Sequence, residues 1–308
     1  MSYFLSDYKE NQESLKIAVS DSGDNYYLNK GKLPTHKYRI LYNDYKKDIA
    51  KLFVGRQKQL ICDTVEKILN NGEDVNKYPK NVIDFYDIVK EREDKKKTLY
   101  VEQDNLYPCL KKDAFNCVFI TGGSGSGKSY LTNQMMLDYH KQNKKNNVYL
   151  ISRLEDKKDV LQSNKFIQKL DCETFVADPI TYKEFEDCLL ILDDFESYEN
   201  TNKPVYKAII GLLNELLTVG RHQRLSIIIC SHLTSNYKST RLIFVEATML
   251  IMYPKSASEH ALKHVLQNYG GLGKDTVTDI SNCNSRYVCL YTHYPKMLLF
   301  EHKIEFVK

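Results

Sequence analysis

The sequence predicts an α/β fold in which a mostly parallel sheet is covered by helices on both faces. From about residue 105 onward, short apolar runs alternate with amphipathic stretches, as in buried parallel strands joined by helices. A glycine-rich turn follows the first of these runs, and two consecutive carboxylates follow the most apolar one. The first hundred residues are more polar, and we expect a small, mostly helical appendage there.

The chain has 308 residues, which is enough for one large domain with an appendage. We divide it into a polar N-terminal region of unknown role at 1–104 and an α/β domain at 105–308. The formal net charge is only +4, so binding to nucleic acid would need a local basic surface. The eight cysteines form no C-x-x-C pair and no apolar stretch approaches membrane-spanning length. These features favour a reducing intracellular compartment and no membrane partner.

The N-terminal region contains one long predicted helix. Apolar residues from about 44 to 69 follow a helical period, and the Asn-Asn-Gly sequence at 70–72 ends it. A shorter helix near 82–89 precedes the charged run at 91–97, which we interpret as a solvated linker. The polar sequence at 22–25 predicts a hairpin turn.

Strands and helices alternate in the predicted α/β domain. The strands are expected at 117–121, 148–151, 174–176, 188–192, 226–230 and 247–252. The helices are expected from 128 onward, near 157–170, at 205–219 and at 256–269, the last opened by a capping box from Ser256 to Glu259. A hairpin with strands at 287–291 and 297–300 ends the pattern.

Residues 122 to 129 form a complete phosphate-binding loop of the form G-x-x-x-x-G-K-[ST]. Its backbone N–H groups would point at phosphate oxygens, Lys128 would reach the β- and γ-phosphates, and the Ser129 hydroxyl would be a ligand of Mg²⁺. A flexible linker is the alternative, but the apolar strand before the loop and the amphipathic helix after it argue against one. The candidate nucleotide-binding residues are Gly122, Gly123, Ser124, Gly125, Ser126, Gly127, Lys128, Ser129 and Tyr130.

Asp193 and Asp194 directly follow the apolar run 189–192. In a phosphate-loop nucleotidase, a buried strand delivers an acid at its carboxyl end to the Mg²⁺ shell, and we assign this role to Asp193. Asp194 would polarise a water for in-line attack on the γ-phosphate, although many such enzymes use the longer glutamate there. The alternative is a strand that ends in a polar turn.

Ser231 and His232 close the next apolar strand. Neighbouring parallel strands end at the same edge of a sheet, so we expect His232 to sense the γ-phosphate or to orient the attacking water. A histidine at a strand end can also be merely solvated or hydrogen-bonded.

Arg221 and Arg224 lie in the turn before that strand. Arginine suits the charge that spreads over a transferring phosphoryl group, and in rings it comes from the neighbouring subunit. We therefore take Arg221 as a candidate catalytic or interface arginine. Surface charge or pairing with a helix C-terminus is the alternative. Arg224, Arg153 and Arg286 rank below it.

Three segments together resemble the poxvirus-type genome-packaging ATPases of the FtsK–HerA superfamily of P-loop proteins. They are the strand and loop at 119–129, the acidic strand end at 190–194, and the Gly-Arg-His turn at 220–222 that leads into the strand at 226–229. The resemblance covers roughly residues 113–300. It carries over to Lys128, Ser129, Asp193, Asp194 and Arg221. The superfamily has glutamine where this chain has a histidine at position 232.

This resemblance implies a ring-shaped homo-oligomer that hydrolyses ATP with Mg²⁺. The motor would move double-stranded DNA into a preformed capsid. Its partners would be the DNA and capsid or portal-vertex proteins. Its place would be the viral assembly site in the host cell cytoplasm, with the virion as a second location.

Other functions share parts of this pattern. A nucleotide kinase would need an acceptor pocket and an arginine-rich lid, which are not recognisable after residue 129, and an ABC-type ATPase would need a Ser-Gly-Gly-Gln-like signature. A helicase or AAA-type remodelling ATPase stays open. So does a nucleotide-binding capsid-assembly scaffold without translocation, although the complete set of lysine, serine and two aspartates favours an enzyme.

Overall fold

The structure is a computed structural model that describes residues 3–30, 40, 42–53, 58–95, 98–153, 160–232 and 237–307. Its contacts divide the chain into two compact units. The first contains residues 1–14 and 28–99, and the second contains residues 15–27 and 100–308. The division of roles between 1–104 and 105–308 stays a prediction.

The strands share short lengths of three to six residues. In chain order they are β1 (Tyr3–Ser6), β2 (Leu15–Ser20), β3 (Asn25–Lys30), β4 (Thr98–Tyr100), β5 (Leu106–Pro108), β6 (Asn116–Thr121), β7 (Val148–Ser152), β8 (Ile167–Lys169), β9 (Leu189–Asp193), β10 (Ser226–Ser231), β11 (Met249–Met252), β12 (Val288–Tyr291), β13 (Met297–Phe300) and β14 (Lys303–Phe306).

The helices range from one turn to more than four. They are α1 (Lys46–Leu52), α2 (Lys58–Asn71), α3 (Lys80–Lys95), α4 (Lys128–Gln142), α5 (Thr174–Ala177), α6 (Tyr198–Thr201), α7 (Lys203–Val219), α8 (Tyr237–Glu246), α9 (Glu259–Lys263) and α10 (Lys274–Asn282). Short 3-10 turns include Phe195–Ser197 and Gly220–Gln223, and α9 continues into a π-helix at His264–Tyr269. Within the described ranges, no helix has both the length and the hydropathy that crossing a bilayer requires.

Nine strands of the second unit form one sheet in the order β14-β13-β12-β11-β6-β10-β9-β7-β8. The pairs from β11 to β8 are parallel, and the remaining pairs from β11 to β14 are antiparallel. Strand β6 is buried on both faces. Phe119 packs into the core that contains α7, whereas Cys230 of the adjoining β10 lies 3.1 Å from Thr132 of α4 on the other face. The predicted α/β class with a mostly parallel, helix-flanked sheet is confirmed.

The register of the central strands places their carboxyl ends side by side. Ser231 pairs with Thr121, and Cys230 pairs with Asp193, so β10 lies between β6 and β9 and ends level with both. Because parallel strands share their direction, the connections that follow them all leave from one edge of the sheet.

The first unit has its own small core between α1, α2 and α3. Phe85 is fully buried, and its ring lies edge-to-face against Tyr45 and Phe53, with centroids 5.6 and 6.3 Å away. The single helix predicted over 44–69 is two helices, and residues 54–57 between them lie outside the described part. The linker predicted at 91–97 is wrong for residues 91–95, which continue α3.

Two predicted elements of the second unit are wrong. Part of the segment near 157–170 that was expected to be a helix is strand β8, which pairs in parallel with β7. Residues 154–159 lie outside the described part. The strand expected at 174–176 is helix α5. Short runs do not reveal their period. Here β8 extends the sheet beside β7, and α5 packs Phe175 into the core with α7. The predicted turn at 22–25 and the hairpin of β12 with β13 are confirmed, whereas α10 and β14 were not predicted.

Candidate active site at the carboxyl edge of the sheet

The phosphate-loop sequence links the end of β6 to the start of α4. Gly125 and Gly127 have φ values of +74° and +106°, which a residue without a Cβ adopts readily. Gly127 is the N-cap of α4, and Lys128 and Ser129 are its first two residues. The loop amides and the positive end of the helix dipole therefore lie at the same edge of the sheet as the end of β9.

Lys128 is a buried cation at the centre of this edge. Its Nζ donates to the carbonyl oxygens of Gly122 at 2.8 Å and Gly123 at 3.2 Å, and it lies 3.2 Å from Nδ1 of His232. Burial lowers the pKa of Lys128, and nearby groups that include the Asp194 and Asp193 carboxylates oppose that shift. A buried ammonium with no direct carboxylate contact among these partners is suited to receiving an anionic ligand.

The His232 ring bridges Lys128 and Asp194. Since the lysine ammonium can only donate, Nδ1 of the imidazole accepts, and the ring proton lies on Nε2. Nε2 donates to Oδ1 of Asp194 at 2.7 Å. The hydrogen bonds thus assign the neutral Nε2–H tautomer and form a continuous line from the lysine to the aspartate.

Asp193 and Asp194 leave β9 in different environments. Asp193 is the last strand residue and only 2% exposed, whereas Asp194 is half-buried with a left-handed backbone at φ +52°. That turn in the backbone redirects the chain at the sheet edge, where the Asp194 carboxylate meets His232. The aspartates and the loop are at the same edge, as the sequence predicted.

The predicted ligands for Mg²⁺ are Ser129 and Asp193, and their chemistry fits the ion. A hydroxyl and a carboxylate supply the hard oxygen donors that Mg²⁺ prefers, and it usually keeps few protein ligands beside phosphate oxygens and waters. The loop also holds a buried Ser126 hydroxyl for which no described group is a hydrogen-bond partner. This orphaned group is suited to a phosphate oxygen inside the loop.

Tyr253, directly after β11, packs against the loop and was missed by sequence reasoning. A Cβ built on Gly122 would lie 2.9 Å from the Tyr253 ring and 2.8 Å from the Ser126 hydroxyl. The Tyr253 hydroxyl lies 3.8 Å from the position of a Cβ on Gly127, and burial raises the pKa of this tyrosine. The ring therefore explains why glycine is required at position 122, a contact that only the tertiary fold reveals.

Ser256 touches the other half of the loop. Its hydroxyl accepts from the N–H of Gly123 at 3.3 Å and donates to the Tyr253 carbonyl at 3.2 Å. The capping box predicted at Ser256 is therefore wrong, because Ser258 is the N-cap of α9 and accepts from the N–H of Ala261. Only Ser256 has a glutamate three residues later, which is why the sequence favoured it, but its hydroxyl is engaged at the loop instead.

Glu196 is a third acid at this edge, and sequence reasoning also missed it. Its carboxylate accepts from the Ser231 hydroxyl and, at 3.4 Å, from the backbone N–H of His232. Burial raises the pKa of Glu196. A glutamate two residues beyond an Asp-Asp pair looks like any surface acid in the sequence, so no signal there marked it.

The predicted arginines are not together. Arg221 and Arg224 precede β10 and lie at the opposite edge of the sheet, where Arg221 pairs with Glu246 and Arg224 with Asp187. Arg221 therefore lies away from the Lys128 site of its own chain. Arg153, which follows β7, is at the carboxyl edge and exposed.

Two further predicted residues are at or near the carboxyl edge. Arg286 lies just before β12 and is engaged by Glu301, with its Nε 3.4 Å from the carboxylate. Tyr130 is 44% exposed, with its ring centroid 6.3 Å from that of Tyr107. It lies on the first turn of α4, and its role in nucleotide binding stays a prediction.

Comparison with solved structures gives distant likenesses. The genome packaging NTPase B204 of Sulfolobus turreted icosahedral virus 2, in complex with ATP-gammaS, is 14% identical with a TM-score of 0.39 over 64% of this chain and 97% of that one. The pCW3 conjugation coupling protein TcpA with ATPgS is 13% identical, with a TM-score of 0.40 over 68% of this chain and 66% of that one. Identities and TM-scores this low establish nothing about function.

Sequence comparison gives a nearer relative. No family model matches the chain. The uncharacterized protein V3 of Sputnik virophage is 30% identical over 217 residues, which are 70% of this chain and 86% of V3. The chain belongs to the protein family of Sputnik virophage V3.

Proposed function

We propose that this protein is an ATP hydrolase of the FtsK–HerA type that drives double-stranded viral DNA into a preformed capsid. One observation carries the proposal. The buried Lys128 of a phosphate loop is joined through His232 to Asp194, at the sheet edge where Asp193 also ends its strand. This arrangement brings a phosphate-binding cation and two carboxylates to one place, as phosphoryl transfer from ATP requires.

The loop would bind the triphosphate. Its backbone N–H groups, at the start of α4, would donate to phosphate oxygens, and Lys128 would exchange its carbonyl acceptors for the β- and γ-phosphates. Ser129 and Asp193 would hold Mg²⁺, which neutralises phosphate charge when bound. The exposed ring of Tyr130 stands next to the loop as a candidate contact for the rest of the nucleotide.

Asp194 and His232 would place the attacking water. The aspartate carboxylate accepts hydrogen bonds, and the neutral imidazole holds it in a fixed orientation relative to Lys128. A water that donates to Asp194 would then face the γ-phosphate held by the lysine. The imidazole has one nitrogen on the Lys128 ammonium and the other on the Asp194 carboxylate. Loss of the γ-phosphate would therefore change the partners of His232 at the end of β10.

Arg221 would act on a neighbouring subunit. It lies on the opposite edge of the sheet from its own Lys128 and is 60% exposed. This suits a head-to-tail ring in which the edge that carries Arg221 in one subunit meets the phosphate loop of the next subunit. Movement along DNA needs contacts to phosphates, so binding would be independent of sequence and sensitive to salt. A virophage relative favours a viral protein. A DNA-packaging role would place it at the viral assembly site in the host cell cytoplasm, with the virion as a second location.

Steady-state phosphate release with and without duplex DNA tests the proposal. We expect turnover that needs Mg²⁺, rises with DNA of any sequence and falls as salt increases. Hydrolysis that ignores DNA would favour a remodelling ATPase with another substrate. Nucleotide binding without any hydrolysis would favour a capsid-assembly scaffold.

A further inference from the structure

Glu196 lies on a turn that is fixed to the end of β9. The Ser197 backbone N–H and hydroxyl both donate to the carbonyl oxygen of Asp194, at 3.2 and 2.7 Å. Phe195 is 3% exposed and packs into the core with α7. With the left-handed Asp194 before it, this turn holds the Glu196 side chain towards β10.

Both carboxylate oxygens of Glu196 engage the end of β10. Oε1 accepts from the Ser231 hydroxyl, and Oε2 accepts from the N–H of His232. Ser231 is the last residue of the strand, so Glu196 holds the chain at the point where the sheet no longer orders it. The connection ties the loop after β9 to the strand that presents His232.

We propose that Glu196 is a positioning residue that fixes His232 between Lys128 and Asp194. This inference rests on the proposed hydrolysis of ATP at the Lys128 site. The His232 ring has one partner on each nitrogen, at 3.2 and 2.7 Å, so rotation of its backbone by a small angle breaks one of the two contacts. Glu196 accepts from the Ser231 hydroxyl and, at 3.4 Å, from the His232 N–H, so its carboxylate restrains that backbone from two adjacent residues.

The Glu196→Gln variant distinguishes a positioning role from direct proton transfer, because glutamine can keep the hydrogen bonds but cannot take up a proton. The glutamine carbonyl can accept from the His232 N–H while its NH₂ group donates to the Ser231 hydroxyl, which can also accept. Glu196→Gln therefore keeps the connection and removes the charge, whereas Glu196→Ala removes both. Glu199→Ala is the matched control, since it deletes a half-buried glutamate from the same segment three residues further on.

Kinetics separate the two roles. We expect Glu196→Ala to lower kcat about 10- to 100-fold with the ATP KM within about 3-fold of wild type, because a misplaced water-orienting group affects the chemical step. Glu196→Gln and Glu199→Ala should stay within about 3-fold of wild-type kcat. Equal losses in Glu196→Gln and Glu196→Ala would identify a general base instead and overturn the proposal. Wild-type kcat in Glu196→Ala would overturn it as well.

A second readout does not depend on hydrolysis. Imidazole ¹H–¹⁵N spectra of the nucleotide-free protein report the tautomer of His232, whose signal is identified with His232→Asn. We expect the Nε2–H form in wild type and Glu196→Gln, and a mixture of tautomers in Glu196→Ala. An unchanged signal in Glu196→Ala contradicts the positioning role, even if wild type hydrolyses no ATP and the proposed function is wrong.

Discussion

The hydrogen-bond partners of the buried Lys128 ammonium are uncharged, whereas a buried cation is best compensated by an anion. Two backbone carbonyls and an imidazole nitrogen satisfy its hydrogens, yet carbonyl dipoles compensate a buried charge less well than an anion does. A polyphosphate would supply that anion without displacing any carboxylate from the lysine. This property of one residue is the physical basis of the proposed binding site.

Replacing this lysine tests that reasoning at the residue scale. We expect Lys128→Ala to lower ATP hydrolysis by at least about 100-fold, because the charge on the transferring phosphoryl group loses its cation. Lys141→Ala, at the exposed end of the same helix, is the control and should retain wild-type turnover. Circular dichroism should show both variants folded. Hydrolysis retained by a folded Lys128→Ala protein would place the chemistry elsewhere.

The raised pKa of Glu196 makes the free energy of unfolding depend on pH. Burial raises its folded-state pKa above the ordinary 4.5, so the folded protein binds the proton more tightly than the unfolded chain. The free energy of unfolding therefore falls as pH rises from about 4.5 through the folded-state pKa, and the penalty is fully present above that pKa. Glu196→Gln has no such penalty.

Urea unfolding between pH 4 and pH 8 measures this effect. The stability of Glu196→Gln relative to wild type should increase from the acid end of the range to the neutral end. A difference that stays constant across the range would show that the Glu196 pKa is not raised.

Sequence patterns predicted part of the site at the residue scale. Lys128, Asp193, Asp194 and His232 could be placed because a loop motif and the ends of parallel strands fix which edge they occupy. The contacts made by Tyr253, Ser256 and Glu196 could not be predicted. They depend on which strands become neighbours and how a turn is aimed, and no local pattern encodes either.

At the element scale, the placement of β10 between β6 and β9 organises the edge. It separates the phosphate loop from the two aspartates by one strand, and His232 at its end fills that gap. The apolar strand runs predicted this sheet, since buried strands are the clearest pattern in the chain. Prediction failed for β8 and α5, which are three and four residues long and lie outside the central strands.

Tyr253, which follows β11, packs against the loop and limits which residue can occupy position 122. A Cβ on Gly122 would enter the space of the Tyr253 ring, whereas a Cβ on Gly123 would have its nearest neighbour, the Ser256 Cβ, at 3.7 Å. We expect Gly122→Ala to lower the free energy of unfolding by about 1–3 kcal/mol, as overpacking does.

Urea unfolding of the nucleotide-free protein measures this difference. Gly123→Ala should remain within about 0.5 kcal/mol of wild type. Equal stability of the two alanine variants would show that Tyr253 does not restrict the loop.

At the scale of the whole molecule, the two edges of the sheet carry complementary parts of the proposed ring. The carboxyl edge holds the lysine and the aspartates, and the opposite edge holds Arg221 beside Glu246. A heterologous contact between these edges closes into a ring when its rotation allows. From the sequence, Arg221 is the candidate interface arginine, and that role stays a prediction. The fold shows on which edge of the sheet this residue lies.

Mixing two inactive variants tests the shared site. Arg221→Ala protein keeps its own loop, and Lys128→Ala protein can supply the missing arginine to it, so mixed rings should regain part of the turnover that each variant lacks alone. Arg224→Ala is the control, because it removes a salt-bridged arginine from the same edge and should hydrolyse ATP normally. Full turnover by Arg221→Ala alone would exclude a trans role for this residue.

The central claim is that one edge of the sheet binds the triphosphate between the loop and the two aspartates. An experimental structure with Mg²⁺ and a slowly hydrolysed ATP analogue tests it most directly. We predict phosphates enclosed by residues 122–129, the Lys128 ammonium on the β- and γ-phosphates, and Asp193 and Asp194 reaching the metal and the γ-phosphate directly or through one water. A nucleotide bound elsewhere, or a loop that binds it while both aspartates stay out of reach, would contradict the account.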